Sequence, residues 1–194
     1  VRNLFIAANG LFEGAGDIGP VMAKLQAQGV KISQMIEAGL IIGGEDIKEP
    51  YDRFRNRLMF PIEDARGRVI AFGGRALDPD ARAKYLNSPE TPLFHKGHVL
   101  YNYARARKAA YDAGTVIACE GYMDVIALAQ AGFEHAVAPL GTAMTENQID
   151  LLWRLAPEPI LCFDGDKAGV KSSFRAMERV LPLLKPVHSV RVAL

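Results

Sequence analysis

Long apolar runs are missing from this chain. No stretch approaches the roughly 20 consecutive apolar residues that a membrane-spanning helix needs, so no such helix and no membrane partner are expected. The first residues lack a basic segment followed by a hydrophobic stretch and a cleavage site, the pattern of a secretory leader, and a cytoplasmic setting is the expectation. Cysteine is scarce. The two present, Cys119 and Cys162, lie inside apolar runs and form no C-x-x-C pair, which excludes a disulfide scaffold and reads as two small buried hydrophobes. His95 and His98 stand three apart with no cysteine nearby to complete a set, so zinc is not expected. Net charge is almost absent at +1, but that total hides an asymmetry. Residues 51–108 carry twelve Lys/Arg against six Asp/Glu, whereas residues 109–194 carry seven against ten. A basic block followed by an acidic one suits a polyanion handled beside bound cations.

What is present centres on residues 116–169. Three short apolar runs occur there: V-I-A-C, H-A-V-A-P and I-L-C-F. The first leads into Glu120-Gly121-Tyr122-Met123-Asp124 and the third into Asp164-Gly165-Asp166-Lys167-Ala168-Gly169. Runs of this length bounded by Gly, Pro or acidic residues predict strands buried on both faces. Each is followed by helical spacing: Val125, Leu128 and Ala129; then Ile149, Leu152, Trp153 and Ala156; then Val170, Phe174, Met177, Val180, Leu181 and Leu184. Strand and helix alternating at this pace predict an α/β domain with a mostly parallel sheet flanked by helices. Residues just past the strand ends of such a sheet share the edge where ligands bind. Glu120, Asp164 and Asp166 are therefore expected to meet there. Clustered carboxylates repel unless a cation sits among them, and oxygen-only ligands with room for water suit Mg²⁺ or Mn²⁺. The same residues also fit a plainer reading, in which Asp and Gly after a strand make a turn or cap a helix. Lys167 is placed to contact phosphate or to offset the acidic charge.

Upstream, residues 21–28 and 33–40 read as two short scaffold helices, the first closed by Gly29 and the second capped by Ser33 and closing near Gly39. Residues 1–19 are too rich in glycine for long regular structure. From Tyr51 the chain alternates aromatic and basic residues, with Arg53, Arg55 and Arg57. Residues 58–62 and 69–72 then predict a hairpin ending in Gly73-Gly74-Arg75. Lys84-Tyr85 and, further on, Lys96 lie on segments punctuated by Pro and Gly and read as loops. Lysines beside aromatics are what single-stranded nucleic acid binding uses, ammonium groups for phosphates and ring faces for bases. An Ala- and Arg-rich helix over residues 102–113 connects this basic α+β part, residues 1–113, to the sheet domain, residues 114–194. Thr145-Glu146-Asn147-Gln148 opens a helix as a capping box. Leu140-Gly141-Thr142 supplies backbone N–H groups to the edge, and residues 188–194 read as a fourth strand.

The two acidic motifs resemble those of the TOPRIM fold, shared by topoisomerases and bacterial primases. Tyr51-Asp52-Arg53-Phe54-Arg55, Met59-Phe60-Pro61-Ile62, Phe72-Gly73-Gly74-Arg75, the run from Lys84-Tyr85 to Glu90-Thr91, and Phe94-His95-Lys96-Gly97 narrow the likeness. Together they resemble the RNA-polymerase core of bacterial DnaG-type DNA primase over about residues 32–194. That resemblance implies an enzyme, a nucleotidyltransferase making short RNA primers from ribonucleoside triphosphates on single-stranded DNA during replication, near the nucleoid. It implies Glu120 as metal ligand or general acid/base, and Asp164 and Asp166 as holders of divalent ions with Asp124 in support. Arg75, Lys84, Tyr85 and Lys96 would lie on the face that tracks template and nucleotide, joined by Arg53 and Arg55. The family also carries a downstream acidic motif, an N-terminal zinc-binding domain and a C-terminal domain that meets the replicative helicase, and none of these falls within this sequence. Three other readings stay open on the residues: a cutting TOPRIM enzyme, a D-x-D phosphatase of the haloacid dehalogenase type, and a nucleic-acid-binding module whose carboxylates only cap helices. The D-x-D after the third strand, rather than the first, weighs against the phosphatase.

Overall fold

A turn of the chain at Gly39 closes the second of two short helices that begin the described region. The computed structural model describes residues 21–141 and 143–194, in two units: one holds the described residues up to Asp64 together with Arg68–His95, and the other holds Ala65–Gly67 and Lys96–Leu194. The expectations for residues 1–20 and for Thr142 lie outside the described residues.

In the first unit, α1 (Val21–Ala27) ends before Gly29 as its spacing predicts, and α2 spans Ile32–Glu37. Ser33 does not cap α2; it lies inside the helix. The Gln34 side chain instead accepts a hydrogen bond from the Lys31 N–H at 3.1 Å, which moves the start of the helix forward. Asp52 caps α1, its carboxylate accepting from the N–H groups of Val21 and Met22 at 2.7 and 2.9 Å. Asp52 belongs to a two-stranded ribbon, β1 (Ile41–Ile42) with β2 (Tyr51–Asp52). The predicted hairpin forms as β3 (Arg57–Glu63) and β4 (Val69–Ala76), antiparallel. A third strand, β5 (Tyr85–Asn87), pairs with Gly73–Arg75 of β4, where the sequence read as a loop. Three residues are too few to display a period, and the pairing rather than local propensity makes the strand. Val21, Leu25, Met35, Leu40, Phe54 and Phe72 form the buried core of this unit.

The second unit has the expected parallel sheet. Its strands are β6 (Ile117–Ala118), β7 (Ala136–Val137), β8 (Ile160–Cys162) and β9 (Arg191–Ala193), in the order β7-β6-β8-β9, all pairs parallel. The pleat sends alternate side chains to opposite faces. Val116, Ala118, Val137 and Leu161 face one way, against α3 (Tyr103–Ala113), α5 (Glu146–Leu155) and α6 (Lys167–Val180). Ile117, Cys119, Ala136 and Ala138 face the other way, against Val125 of α4 (Tyr122–Gln130). Burial on both faces explains why the strands read as continuous apolar runs.

One face assignment is corrected. The apolar spacing chosen for α6 included Phe174, Leu181 and Leu184, yet Phe174 is 67% exposed and Leu181 60%. The buried side of α6 carries Gly169, Ser173, Ala176 and Val180. Small residues let the helix lie close on the sheet, so size rather than hydrophobicity selects the inward face.

The capping box at the start of α5 forms as expected and does more than cap. Thr145 Oγ1 accepts from the Gln148 N–H at 3.2 Å and donates to the Gly97 carbonyl at 2.6 Å. Gln148 is fully buried, and its Nε2 donates to the carbonyls of Lys96 and Val99, each at 2.9 Å. Gln148→Ala strands both carbonyls in a dry interior, and a destabilisation of about 2–4 kcal/mol is expected in denaturant titration.

Candidate active site

Cys119 and Glu120 directly follow β6, and Phe163 and Asp164 directly follow β8. In the register Ala118 lies beside Leu161, so Glu120 emerges opposite Phe163. From there its Oε1 accepts the N–H of Asp164 at 3.0 Å. Two residues 44 apart in sequence are thus joined at the carboxyl edge of neighbouring strands. Glu120, Asp164 and Asp166 are all exposed. The Asp164 carboxylate makes no hydrogen bond or ion pair among the described residues.

The other two acidic residues are engaged by helix starts. Asp166 Oδ1 accepts from the N–H groups of Ala168 and Gly169, both at 2.8 Å, and so caps α6. Asp124 accepts from the Gly121 N–H at 2.8 Å, at the start of α4. Among the described residues no three of His, Cys, Asp and Glu are grouped closely enough to form a ready metal cage. The donor chemistry nevertheless fits a hard divalent ion. Magnesium keeps several waters and binds through one or two carboxylates plus substrate phosphates, and Glu120 with the unengaged Asp164 provides such a pair.

Gly169 makes this loop possible. A Cβ there would stand 2.0 Å from the Asp164 carbonyl oxygen, which forbids any side chain while the first turn of α6 lies on the D-G-D loop. On the α4 side, Cys119, Asp124, Cys162 and Asp164 line a cavity that also reaches Glu120. Burial pushes the Cys119 thiol up to about 12, with the nearby Asp124 charge adding to the shift, so it is inert as a nucleophile. Both cysteines are free, as expected.

Cations of the first unit fall into two groups. Arg53 is half-buried and its guanidinium donates twice to the Asn87 carbonyl at 3.3 Å; burial lowers its pKa from the usual arginine value. Arg57 donates to the Ala83 carbonyl at 2.9 Å. Both fasten β5 to the sheet. The second group reaches solvent. Arg55 lies over the Tyr51 ring at 4.8 Å and Lys84 over Tyr85 at 6.0 Å. The side chain of Arg75, a residue paired in register with Leu58 and Tyr85, makes no hydrogen bond or ion pair among the described residues. Arg75, Leu58 and Tyr85, matched in register, share one face of the small sheet, where Leu58 and Tyr85 are 49% and 42% exposed. In the second unit Lys96 opens a 3₁₀ turn held by Gln148, and Lys167 is an exposed residue in the first turn of α6.

Sequence reasoning missed Arg175 and Arg179. They stand one turn apart on α6 and line a second cavity, on the α6 side of the strand ends, together with Glu120. Their i, i+4 spacing was the available signal.

Comparison with known proteins identifies the family. The family model for the N-terminal domain of the DNA primase catalytic core matches residues 17–107, and that for the Toprim domain matches residues 114–193. The chain belongs to the DnaG-type DNA primase catalytic cores. DNA primase of Pseudomonas aeruginosa is 52% identical over 171 residues, which are 88% of this chain and 26% of that protein. DNA primase of Escherichia coli K12 is 48% identical over 157 residues, 81% of this chain and 27% of that protein. The chain thus spans about a quarter of the length of these curated relatives. Among solved structures, a DNA primase domain from P. aeruginosa has a TM-score of 0.80 at 53% identity, covering 87% of this chain and 53% of that one. A DnaG primase catalytic domain bound to ssDNA has a TM-score of 0.81 at 42% identity, covering 98% and 60%. No described helix is long and apolar enough to cross a membrane.

Gly169→Ala tests how the loop is held. The added methyl must push Asp164 and α6 apart, and a loss of about 2 kcal/mol or more is expected in thermal unfolding, together with weaker Mn²⁺ binding by titration.

Proposed function

We propose that this chain is the catalytic segment of a DNA-directed RNA polymerase that makes short RNA primers on a single-stranded DNA template during replication. The observation that carries the reading is the hydrogen bond joining Glu120 to Asp164 at the strand ends of a matched Toprim domain. The names of the relatives and the ssDNA in one neighbouring structure support it. Residues 1–113 serve template and nucleotide, and residues 114–194 carry the chemistry. Glu120, Asp164 and Asp166, with Asp124 in support, hold Mg²⁺ or Mn²⁺, which when bound offsets charge on the phosphates of the substrate.

Glu120 accepts the proton of the attacking 3′-hydroxyl. The 3′-oxygen then forms a bond to the α-phosphorus, the bond from that phosphorus to the β-phosphate bridging oxygen breaks, and its electron pair leaves with pyrophosphate. Arg75 and Lys84 contact phosphates of the template, Tyr85 offers a ring face to a base, and Arg55 and Lys96 each add a cation for nucleic acid. Lys167 contacts nucleotide phosphate beside the acidic loop. Arg53 acts indirectly, by holding Asn87 and hence β5. The partners are single-stranded DNA, ribonucleoside triphosphates, the RNA product and, through another part of the protein, the replicative helicase, in the cytoplasm at the nucleoid.

In the full-length protein, Glu120→Gln and Asp164→Asn should each cut labelled primer formation by about a thousandfold, the scale on which preorganised charge acts in catalysis, while leaving the far-ultraviolet circular dichroism unchanged. Primer synthesis at the normal rate by either variant would contradict the proposal.

A further inference from the structure

The cavity on the α6 side of the sheet has no role in the reading above. It measures about 340 Å³ and lies between α6 and the segment following β7. Its floor is formed by strand-end residues, including Phe163 and Glu120, and its walls by Met144 and by Ser172, Arg175 and Arg179 of α6. Among the described residues that line it, two arginines and one carboxylate leave a positive balance.

The two arginines do different things. Arg179 donates to the carbonyls of Met144 and Ala143 at 2.5 and 3.4 Å, so it fastens the segment after β7 to α6 and is built into the wall. Arg175, one turn earlier, makes no hydrogen bond or ion pair among the described residues. A guanidinium offers a planar fork of donors suited to two oxygens of one phosphate. Glu120, the one acidic residue among the described residues lining the cavity, already has Oε1 committed to the Asp164 N–H.

We infer that this cavity binds a diphosphate group, held by Arg175, and that it receives the pyrophosphate released from the incoming nucleotide. The inference rests on the reading of Glu120 as part of the catalytic edge. Ligand pockets run from about 300 to 1,000 Å³, so the cavity has room for two phosphates, and its cationic balance favours an anionic group. Arg175 then stabilises the leaving group's charge as it develops and is a substrate-binding residue absent from the acidic motifs.

The test is calorimetric titration of this chain with inorganic pyrophosphate in the absence of divalent metal, which separates the cavity from the metal-dependent chemistry. The expected results are measurable binding by the wild type, at least about tenfold weaker binding by Arg175→Ala, and a smaller loss for Arg175→Lys, which keeps the charge but not the fork. Glu120→Gln, which removes a negative charge from the same cavity, should tighten binding. Circular dichroism checks that each variant is folded, and Arg175→Gln supplies a second neutral variant should Arg175→Ala fail that check. No pyrophosphate binding by the wild type, or equal affinity in the wild type and a folded neutral variant, overturns the inference. Neither result bears on primer synthesis, which stands or falls on its own assay.

Discussion

A single hydrogen bond organises the strand-end edge of the parallel sheet: the Glu120 carboxylate accepting the backbone N–H of Asp164. It joins the ends of β6 and β8, neighbours in the sheet but far apart in sequence. The D-G-D loop leaves β8 tied to Glu120 on one side and capped onto α6 through Asp166 on the other. Gly169 permits the close approach, because the Asp164 carbonyl occupies the space where a side chain would begin. The parallel sheet supplies the rigid base on which a loop held this way keeps its shape.

Strand alternation then determines how the groups are shared between the two faces. Ala118 and Phe163 belong with the α6 side of the sheet, and Cys119 and Cys162 with the α4 side. Glu120 reaches both cavities at the edge, whereas Asp164 lines the α4 side and Arg175 the α6 side. The carboxylates therefore do not form a closed cage, and the edge separates into an acidic side and a cationic one.

Much of this was legible in the sequence, for identifiable reasons. V-I-A-C and I-L-C-F announced buried parallel strands because both faces demand apolar side chains, and Thr145 with Gln148 announced a helix start because each satisfies the other's backbone N–H. Glu120 and Asp164 were legible as strand-end carboxylates, since a parallel sheet brings such positions to one edge. The readings that failed depended on tertiary context. The inward face of α6 is marked by small residues rather than by Phe174 and Leu181, and apolar periodicity does not register small residues. The β5 strand exists because β4 offers it a partner, not because Tyr85-Leu86-Asn87 demands extension. Nor did the sequence show that Arg53 donates to the Asn87 carbonyl, since no local pattern marks a cation that fastens a strand.

The central claim is that a divalent cation binds at the edge where Glu120 meets the Asp164 loop. Anomalous scattering from a crystal soaked in Mn²⁺ tests it most directly. The account predicts a peak in contact with the carboxylates of Glu120 or Asp164, at the carboxyl ends of β6 and β8. Manganese bound only elsewhere on the protein, with those two carboxylates bare at saturating concentration, would contradict it.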